Sequence, residues 1–368
     1  MRPDLIVFSH LRWAGVWQRP QHLVSRLGRQ RRVWFVEEPV LSAEPRPGIH
    51  AEEQPGGVTR LWIEIEDPGH HVGFIPEVVQ RYQDELAAVI QPAQPPLVWL
   101  YSPLVLPAAR ALEPALLVFD VMDDLASFKG ADPSLVAWHR RTLREADLVF
   151  AGGRTLHLGV LRHRADAHLF PSGVEPEHYA RARALRRHRD IPVAGYVGVL
   201  DERLDLELVR GLAAALPDWE VRLIGPVAKI DPADLPAAPN LTYPGPRSYD
   251  ELPEVMAGFD VAIMPFALNE ATRAISPTKT LEYLAAGLPV VSTPVADVVS
   301  AFAAVVDVEP DADGFARACR QAREADRSQW DRSVRPLLYA HHWDTIASEM
   351  EAIMQRQLNR SESTEATA

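Results

Sequence analysis

The chain has 368 residues, of which 47% are hydrophobic and 24% are charged. These values are typical of a soluble globular protein with a full core, and they exclude a disordered, collagen-like or disulfide-stapled chain. The formal net charge of −12 argues against a general nucleic-acid-binding protein, because such a protein needs a dominant basic surface.

The composition also indicates a location. The one cysteine, Cys319, cannot form an internal disulfide and indicates a reducing compartment. The apolar run at 5–8 is too short for a signal peptide, and no run reaches the ~18 apolar residues of a membrane span. We expect a cytoplasmic protein. Its arginine-rich stretches at 26–32, 140–144 and 181–189 are either solvated helix faces or a peripheral contact with anionic lipid at the inner face of the membrane.

Short apolar runs and helical patterns alternate along the first half of the chain. The predicted strands are at 5–9, 33–38, 60–66, 96–102, 116–123 and 147–152. The predicted helices between them are at 20–29, 76–90 and 133–146. Apolar strands separated by helices are typical of a parallel sheet that is covered on both faces.

The same alternation restarts in the second half. The predicted strands there are at 193–200, 220–226, 240–245, 260–266, 289–294 and 304–309. The predicted helices are at about 205–216, 249–257 and 277–286. Two successive series of this kind predict an α/β protein with two doubly wound, Rossmann-like parallel-sheet domains whose post-strand loops face a cleft.

The seam between the two series divides the chain. We predict a first domain at 1–178, a second at 179–336, a C-terminal helix at 337–358 that crosses back to the first domain, and a disordered tail at 359–368. The tail has no apolar periodicity, which is typical of disorder.

The most informative segment is the predicted helix near 277–286. Ser276 is a good N-cap, and Pro277 suits the first helical position. A helix N-terminus that follows a buried strand is a ready anion site, yet Lys279 lies in its first turn, where a cation opposes the helix dipole. A bound polyanion would explain this lysine. The alternative is an ordinary capped helix with an exposed pair of Lys279 and Glu282.

Several phrases resemble retaining glycosyltransferases of the GT-B fold, family 4. LEYLAAGLPVV at 281–291 is similar to the family phrase LEAMAAGxPVV, and LFPSGVEPEHY at 169–179 is similar to the interdomain crossover xIPNGVDxxxF. GYVGVLDERLD at 195–205 resembles the turn that opens the second domain. Together with SHLRWAGVWQRPQHL and DVMDDLASFKG, these phrases resemble a bacterial subgroup, the teichuronic-acid-type glycosyltransferases.

The resemblance implies a nucleotide-sugar donor site in the second domain. Glu282 would bind the ribose hydroxyls, and Lys279 with Arg203 would neutralise the diphosphate. The nucleobase would lie against the loop that contains Arg247, largely through backbone groups; the alternative for both arginines is a plain surface position. The complete set of implied donor-binding residues is Gly198, Arg203, Arg247, Ser276, Thr278, Lys279 and Glu282.

One departure concerns catalysis. The family has a second Glu eight residues before the ribose Glu, where it touches the transferred sugar, and position 274 here is Ala. We predict that Glu270, in the same loop, takes this role, together with Asp123 after the fifth strand, where family members place a His or Asp near the donor sugar. Asp120 is disfavoured for that role because it falls inside the strand.

The first domain would bind the acceptor. The loop after its first strand contains His10, Trp13, Trp17 and Arg19, and the two tryptophans suit stacking on sugar rings or lipid. The alternative is that each tryptophan folds back onto the core.

No metal or cofactor is expected. Asp311 and Asp313 have the spacing of a metal-binding DxD motif but lie in a turn that opens a late helix, where acids favour the N-terminus. The pairs His70–His71 and His341–His342 lack ligands at tetrahedral spacing.

The resemblance therefore implies an enzyme that moves a sugar from a nucleotide-diphosphate sugar to a cell-envelope polysaccharide or glycolipid acceptor, with retention of anomeric configuration. The alternatives are a GT-B nucleotide-sugar epimerase and a non-catalytic nucleotide-sugar-binding protein.

Overall fold

The computed structural model describes residues 2–15, 17–69, 72–125, 133–270, 272, 275, 278–325 and 328–365 of the chain. The chain divides into two compact units, one formed by 1–171 with 343–368 and the other by 172–342. The second unit begins a few residues before the predicted domain boundary, because Val174 pairs with His342 and belongs to the second unit's core.

The first unit contains one sheet built on parallel strands. Its strands are β1 (Leu5–Ser9), β2 (Val33–Glu37), β3 (Val40–Ser42), β4 (Ile49–Gln54), β5 (Val58–Glu66), β6 (Leu97–Leu100), β7 (Leu116–Val121), β8 (Leu148–Ala151) and β9 (His168–Leu169). Its order is β3-β5-β2-β1-β6-β7-β8-β9, with β4 paired to β5. Helices of this part of the chain are α1 (Arg19–Leu27), α2 (Pro76–Ile90), α3 (Leu106–Ala111), α4 (Leu135–Glu145) and α5 (Arg154–Leu161).

The central strands β1, β6 and β7 are buried along their whole length, as their continuous apolar runs predict. The antiparallel hairpin of β4 and β5 was not predicted. Its outer strand, IHAEEQ, is exposed and polar, so it carries no apolar run, and the turn glycines Gly56 and Gly57 supply the positive φ that joins the two strands.

The second unit contains a parallel sheet with the order β12-β11-β10-β13-β14-β15. Its strands are β10 (Val193–Val197), β11 (Glu220–Ile224), β12 (Leu241–Thr242), β13 (Val261–Met264), β14 (Val290–Ser292) and β15 (Asp307–Val308). Its helices are α6 (Pro176–Leu185), α7 (Leu206–Ala215), α8 (Leu252–Ala257), α9 (Thr278–Ala285), α10 (Ala296–Phe302), α11 (Ala312–Glu324) and α12 (Ser328–Ala340). The predicted α/β class and the second parallel sheet are confirmed.

The last helix, α13 (Trp343–Glu365), belongs to the first unit and packs against α1. Two predictions for this end of the chain need correction. A break at His341–His342 separates α12 from α13, so 337–358 is not one helix. Residues 359–365 are helical rather than disordered, because a helix anchored by Trp343, Met350 and Met354 in the core propagates through polar residues.

Candidate functional site

Glycines line the carboxyl edge of the second unit's sheet. Gly198 follows β10 and Gly225 follows β11, and both have φ values, +154° and +156°, that favour glycine. A Cβ at Gly225 would lie 1.8 Å from the Gly198 carbonyl oxygen, so the two turns are in direct contact. The absence of a side chain at Gly198 leaves room there for a long side chain from α9.

That side chain is Lys279. A Cβ at Gly198 would lie 2.3 Å from the Lys279 Cε and 2.7 Å from its Nζ, so only glycine is compatible with this lysine position. The ammonium group also lies 5.9 Å from the ring centroid of Tyr196. Burial lowers the pKa of Lys279, and the charge of Glu282 offsets part of this shift. A bound anion would stabilise the charged lysine.

Glu282 lies one turn further along α9. Burial raises the pKa of its carboxyl group, while the charge of Lys279 and a hydrogen bond from the Tyr179 hydroxyl act in the opposite direction. Lys279 and Glu282 are both partly buried, so they are not the exposed helix-surface pair of the alternative interpretation. Carboxylate and ammonium are therefore held close together at the carboxyl edge of β10.

Arg203 lies in the turn after Gly198 and is paired with Asp201. Its Nε donates to Oδ1 of Asp201 at 2.9 Å, and its Nη2 donates to Oδ2 at 2.7 Å. Its side chain is 30% exposed, and its charge contributes to the lowered pKa of Lys279. The structure thus brings Gly198, Arg203, Lys279 and Glu282 together, and their role in binding a donor stays a prediction.

The other predicted donor-site residues differ in placement. Thr278 is the first residue of α9 and is partly buried, and Arg247 is exposed and donates to the Pro246 carbonyl at 2.9 Å. Glu270 is exposed, in a loop that is tied to the Arg203 turn by a hydrogen bond from the Ala267 amide to the Arg203 carbonyl at 2.8 Å. Ser276 lies outside the described residues, as does Ala274.

Arg19 is not placed to bind an acceptor, which corrects the prediction. Its Nε and Nη2 donate to the two carboxylate oxygens of Asp120 at 2.8 and 2.9 Å, and its Nη1 donates to the Phe170 carbonyl at 2.7 Å. The two side chains are 1% and 0% exposed. Burial lowers the pKa of Arg19, but the charge and hydrogen bonding of Asp120, with smaller contributions from Tyr101 and Asp123, together outweigh it, so the net pKa is raised and the guanidinium stays charged. The pair is part of the core.

The two tryptophans of the same loop also differ. Trp13 is 5% exposed and packs edge-on against Phe35 at 5.1 Å, so it belongs to the core and cannot stack on a sugar. Trp17 is 39% exposed and contacts the ring of His22 at 5.3 Å. Trp17 alone of the two presents a surface that an acceptor could contact.

Sequence reasoning missed a buried acid beside His10 at the carboxyl edge of the first unit's sheet. The Nε2 of His10 lies 3.8 Å from Oδ2 of Asp123. Glu38, just after β2, is 9% exposed and packs on Gly73, where a Cβ would lie 2.9 Å from its Oε1. Burial raises the pKa of Glu38 to about 7, against the opposing charges of His10 and Arg12. The sequence did contain a signal for Glu38. It is an acid directly after a strand, and the same criterion had identified Asp123 as a candidate.

No group of three or more His, Cys, Asp or Glu side chains among the described residues is placed to hold a metal ion, and His70–His71 lie outside them. Among the described helices, none combines the length and apolar character that a membrane-crossing helix needs.

Part of the second unit is similar to a known protein family. Residues 191–324 match the family described as Glycosyl transferases group 1. TuaH of Bacillus subtilis (strain 168), named as a teichuronic acid biosynthesis glycosyltransferase, is 31% identical over 165 residues, which are 42% of each chain. The chain thus matches less than half the length of this curated relative.

Three solved structures share the fold of this chain. They are the Thermosynechococcus elongatus sucrose-phosphate synthase (17% identity, TM-score 0.71, 98% and 100% of the two chains), the trehalose-6-phosphate protein of E. coli bound with UDP-2-fluoro glucose (14%, 0.70, 96% and 99%), and Anabaena HepE in complex with UDP and glucose (13%, 0.67, 96% and 100%). At these identities the likeness shows the fold, and the predicted GT-B fold is confirmed.

Proposed function

We propose that this protein is a glycosyltransferase that moves a hexosyl group from a nucleotide-diphosphate sugar to a carbohydrate or lipid-linked acceptor of the cell envelope. The group 1 domain at 191–324 supports the enzyme class, and the match to TuaH supports the cell-envelope acceptor. Two of the structural neighbours contain UDP or a UDP-sugar, which supports the donor class.

One observation carries the donor-site proposal: Lys279 lies directly over Gly198, with Glu282 one helical turn away. A glycine turn lets a diphosphate approach the backbone closely, and a lysine of lowered pKa becomes more favourable when an anion binds. The start of α9 adds its own positive dipole at the same place. The carboxylate of Glu282 suits the paired hydroxyls of a ribose.

The chemistry follows from the leaving group. The bond between the anomeric carbon and the diphosphate oxygen breaks, the acceptor oxygen bonds to the anomeric carbon, and the acceptor proton leaves with the phosphate. Lys279 and Arg203 stabilise the negative charge that develops on the diphosphate. We propose that the sugar keeps its anomeric configuration and that no metal ion is needed, because two cationic side chains supply the charge a metal would.

The first test is ligand binding. Thermal shift with UDP, GDP and ADP should show stabilisation by at least one of them, and Lys279→Ala should weaken that ligand by at least about tenfold, the size of a lost charge-assisted contact. Glu282→Ala should also weaken it. Lys229→Ala is the matched control, because this lysine pairs with Glu202 at 3.5 Å on the surface. The donor site would be wrong if no nucleoside diphosphate stabilised the wild type.

The second test is turnover. A panel of sugar nucleotides with envelope glycan and glycolipid acceptors should give a transfer product with retained configuration, and excess EDTA should leave the rate unchanged. Asp123→Asn and Glu270→Gln should lower the rate without changing nucleotide affinity. An isomerised sugar nucleotide without transfer would instead establish an epimerase, and binding without any product would contradict the proposed reaction.

The third test concerns the membrane. We propose a peripheral contact with the inner face of the membrane through arginine-rich helix faces such as that of α4, where Arg140, Arg141 and Arg144 are exposed. The protein should float with anionic liposomes at low salt and not with neutral ones. A protein that stays at the bottom of the gradient with both would contradict this contact.

A further inference from the structure

A cavity of about 370 Å³ lies between α1 and α13 in the first unit. Arg2, which precedes β1, and the turn that joins α1 to β2 both line it, so it is at the amino end of the sheet. The loop predicted to bind the acceptor follows β1 at the opposite end. The volume is typical of a site for a small molecule. The cavity is therefore a candidate second site of the first unit, apart from the predicted acceptor loop.

Helix dipoles explain part of the charge around this cavity. Arg26 lies in the last turn of α1 and Asp344 in the first turn of α13, where each charge is favoured. Nε of Arg26 donates to Oδ1 of Asp344 at 2.6 Å, so the two helix ends are joined. Nη1 of Arg29 donates to the same oxygen at 3.4 Å. Arg29 is thus a second arginine on a carboxylate that Arg26 already neutralises.

Glu351, two turns further along α13, is shared in the same way. Nη1 of Arg2 donates to its Oε1 at 2.6 Å, and Nη2 of Arg31 donates to the same oxygen. Its Oε2 is buried and has no hydrogen-bond partner in the part of the chain that the structure describes. Two carboxylates are thus shared by four arginines, so this arginine cluster carries two more positive charges than negative ones. Its members are Arg2, Arg26, Arg29, Arg31, Asp344 and Glu351.

Arg31 is enclosed but only partly bonded. Its side chain is 2% exposed, and its Nε and Nη1 are buried without a hydrogen-bond partner among the described residues. Burial lowers the pKa of Arg31; the charge of Glu351 opposes this shift, and the charge of Arg2 adds to it. Buried donors in native proteins are normally bonded, as all three guanidinium nitrogens of Arg19 are. Because Glu351 lines the cavity, an anion bound there would compensate the charge of Arg31 that the fold leaves in excess.

We propose that this cavity binds the phosphate ester of a polyol, with the phosphate held by Arg2 and Arg29. These two guanidinium groups are 41% and 63% exposed, so they can turn toward a ligand while Arg26 and Arg31 keep the carboxylates neutralised. Guanidinium groups match the oxygens of a phosphate, which they can bond in pairs. The inference does not rest on the proposed donor site, because that site lies in the second unit.

Neutral polar groups favour an ester with hydroxyl groups over bare phosphate. Gln30, Ser348 and Gln355 line the cavity beside the arginines. Amide and hydroxyl side chains both donate and accept hydrogen bonds, as the hydroxyl groups of a polyol do. Glycerol 3-phosphate is the simplest ligand of this chemistry. It has two sources, a free polyol phosphate and the glycerol phosphate headgroup of an anionic lipid, and the two arms of the experiment distinguish them.

Titration calorimetry at low salt tests the soluble ligand, with glycerol 3-phosphate and inorganic phosphate as probes. The full chain carries Lys279→Ala, so that the proposed donor site does not contribute. Glycerol 3-phosphate should bind more tightly than inorganic phosphate, and Arg2→Ala and Arg29→Ala should each weaken it by about tenfold, the size of one charge-assisted contact. Arg32→Ala is the matched control, because this arginine is 51% exposed and pairs with Asp4 at 2.8 Å. It should leave the affinity unchanged.

Flotation with phosphatidylglycerol vesicles tests the lipid headgroup. If the headgroup is the ligand, glycerol 3-phosphate should release the chain from these vesicles, and Arg29→Ala should lower the retained fraction more than Arg32→Ala does. Binding of glycerol 3-phosphate in calorimetry, without these two effects on vesicles, would assign the cavity to the soluble ester.

Three results would overturn the inference. The first is that glycerol 3-phosphate neither binds in calorimetry nor releases the chain from vesicles. The second is an equal loss of affinity in Arg29→Ala and Arg32→Ala, which would show a general effect of surface charge. The third is an unchanged affinity in both Arg2→Ala and Arg29→Ala, which would show that the arginines only join α1 to α13. A wild type that bound a nucleoside diphosphate but not glycerol 3-phosphate would contradict this inference alone and leave the proposed donor site intact.

Discussion

Each unit of the molecule contains a two-bond Arg–Asp pair beside the carboxyl edge of its sheet, and the two pairs differ in what they leave open. In the first unit, Arg19 and Asp120 are 1% and 0% exposed, and the third nitrogen of the guanidinium, Nη1, donates to the Phe170 carbonyl. In the second unit, Arg203 and Asp201 are 30% and 4% exposed.

The difference separates structure from function. A guanidinium that is enclosed on every side has its charge and donors satisfied by the fold, so no ligand can reach it. A guanidinium that is one third open beside a lysine of lowered pKa can turn toward an anion at small cost. Enclosure, and not residue type, therefore decides which arginine belongs to a binding site.

The largest expected effect tests the enclosed pair. Arg19→Ala should destabilise the protein by about 3–5 kcal/mol, because it leaves the Asp120 carboxylate buried without its countercharge. Arg203→Ala should cost less, because Arg203 is partly solvated and the Asp201 carboxylate keeps its hydrogen bond from the backbone amide of residue 203. Urea unfolding of the full chain measures both. Equal losses in the free energy of unfolding for the two variants would contradict the distinction between the two pairs.

The second prediction extends the comparison to Glu38, a buried acid. Burial raises its pKa by more than the charges of His10 and Arg12 lower it. The folded pKa of Glu38, about 7, lies above its ordinary value of 4.5, so the fold favours the neutral form. Below about pH 4.5, Glu38 is protonated in both the folded and the unfolded protein. As the pH rises through 7, the unfolded protein ionises first, so the folded protein loses stability.

At pH 9 this cost amounts to about 3 kcal/mol, from about 1.4 kcal/mol for each pKa unit. Glu38→Gln should therefore match the wild type at pH 4.5 and exceed its stability by up to that amount at pH 9. Glu44→Gln, an exposed acid a few residues away, is the control and should show no such pH dependence. A constant difference between wild type and Glu38→Gln across this range would show that Glu38 titrates normally.

The contrast between the units also explains which features the sequence could predict. Continuous apolar runs predict the buried parallel strands, and the segment at 276–287 predicts the lysine and glutamate of α9, because both depend on neighbours in the chain. Arg19 and Trp13 could not be assigned from the sequence, since the contacts that bury them come from Asp120 and Phe35. The same holds for Glu38, whose carboxyl group is buried by a loop near Gly73.

The third prediction tests whether Arg203, the partly exposed arginine, contacts a bound nucleoside diphosphate as well as Asp201. Arg203→Ala should weaken the bound nucleoside diphosphate by about tenfold at low salt, as expected for one charge-assisted contact, and the loss should shrink as salt rises. Arg210→Ala is the matched control, because Arg210 forms an exposed pair with Glu207 one turn away on α7. If both variants bound equally well, Arg203 would be as structural as Arg19.

The smallest expected effect concerns an exposed arginine. Arg247 donates a hydrogen bond to the neighbouring Pro246 carbonyl and lies near the charge of Glu251, and neither contact directs its guanidinium toward a nucleobase. An exposed arginine without a fixed geometry should not select among nucleobases, because an unrestrained side chain loses entropy when it binds. Arg247→Ala should therefore change the affinity for UDP, GDP and ADP by less than about twofold, within the range of an ordinary surface substitution. A changed order of preference among the three nucleotides would show instead that this side chain, and not the backbone of its loop, recognises the base.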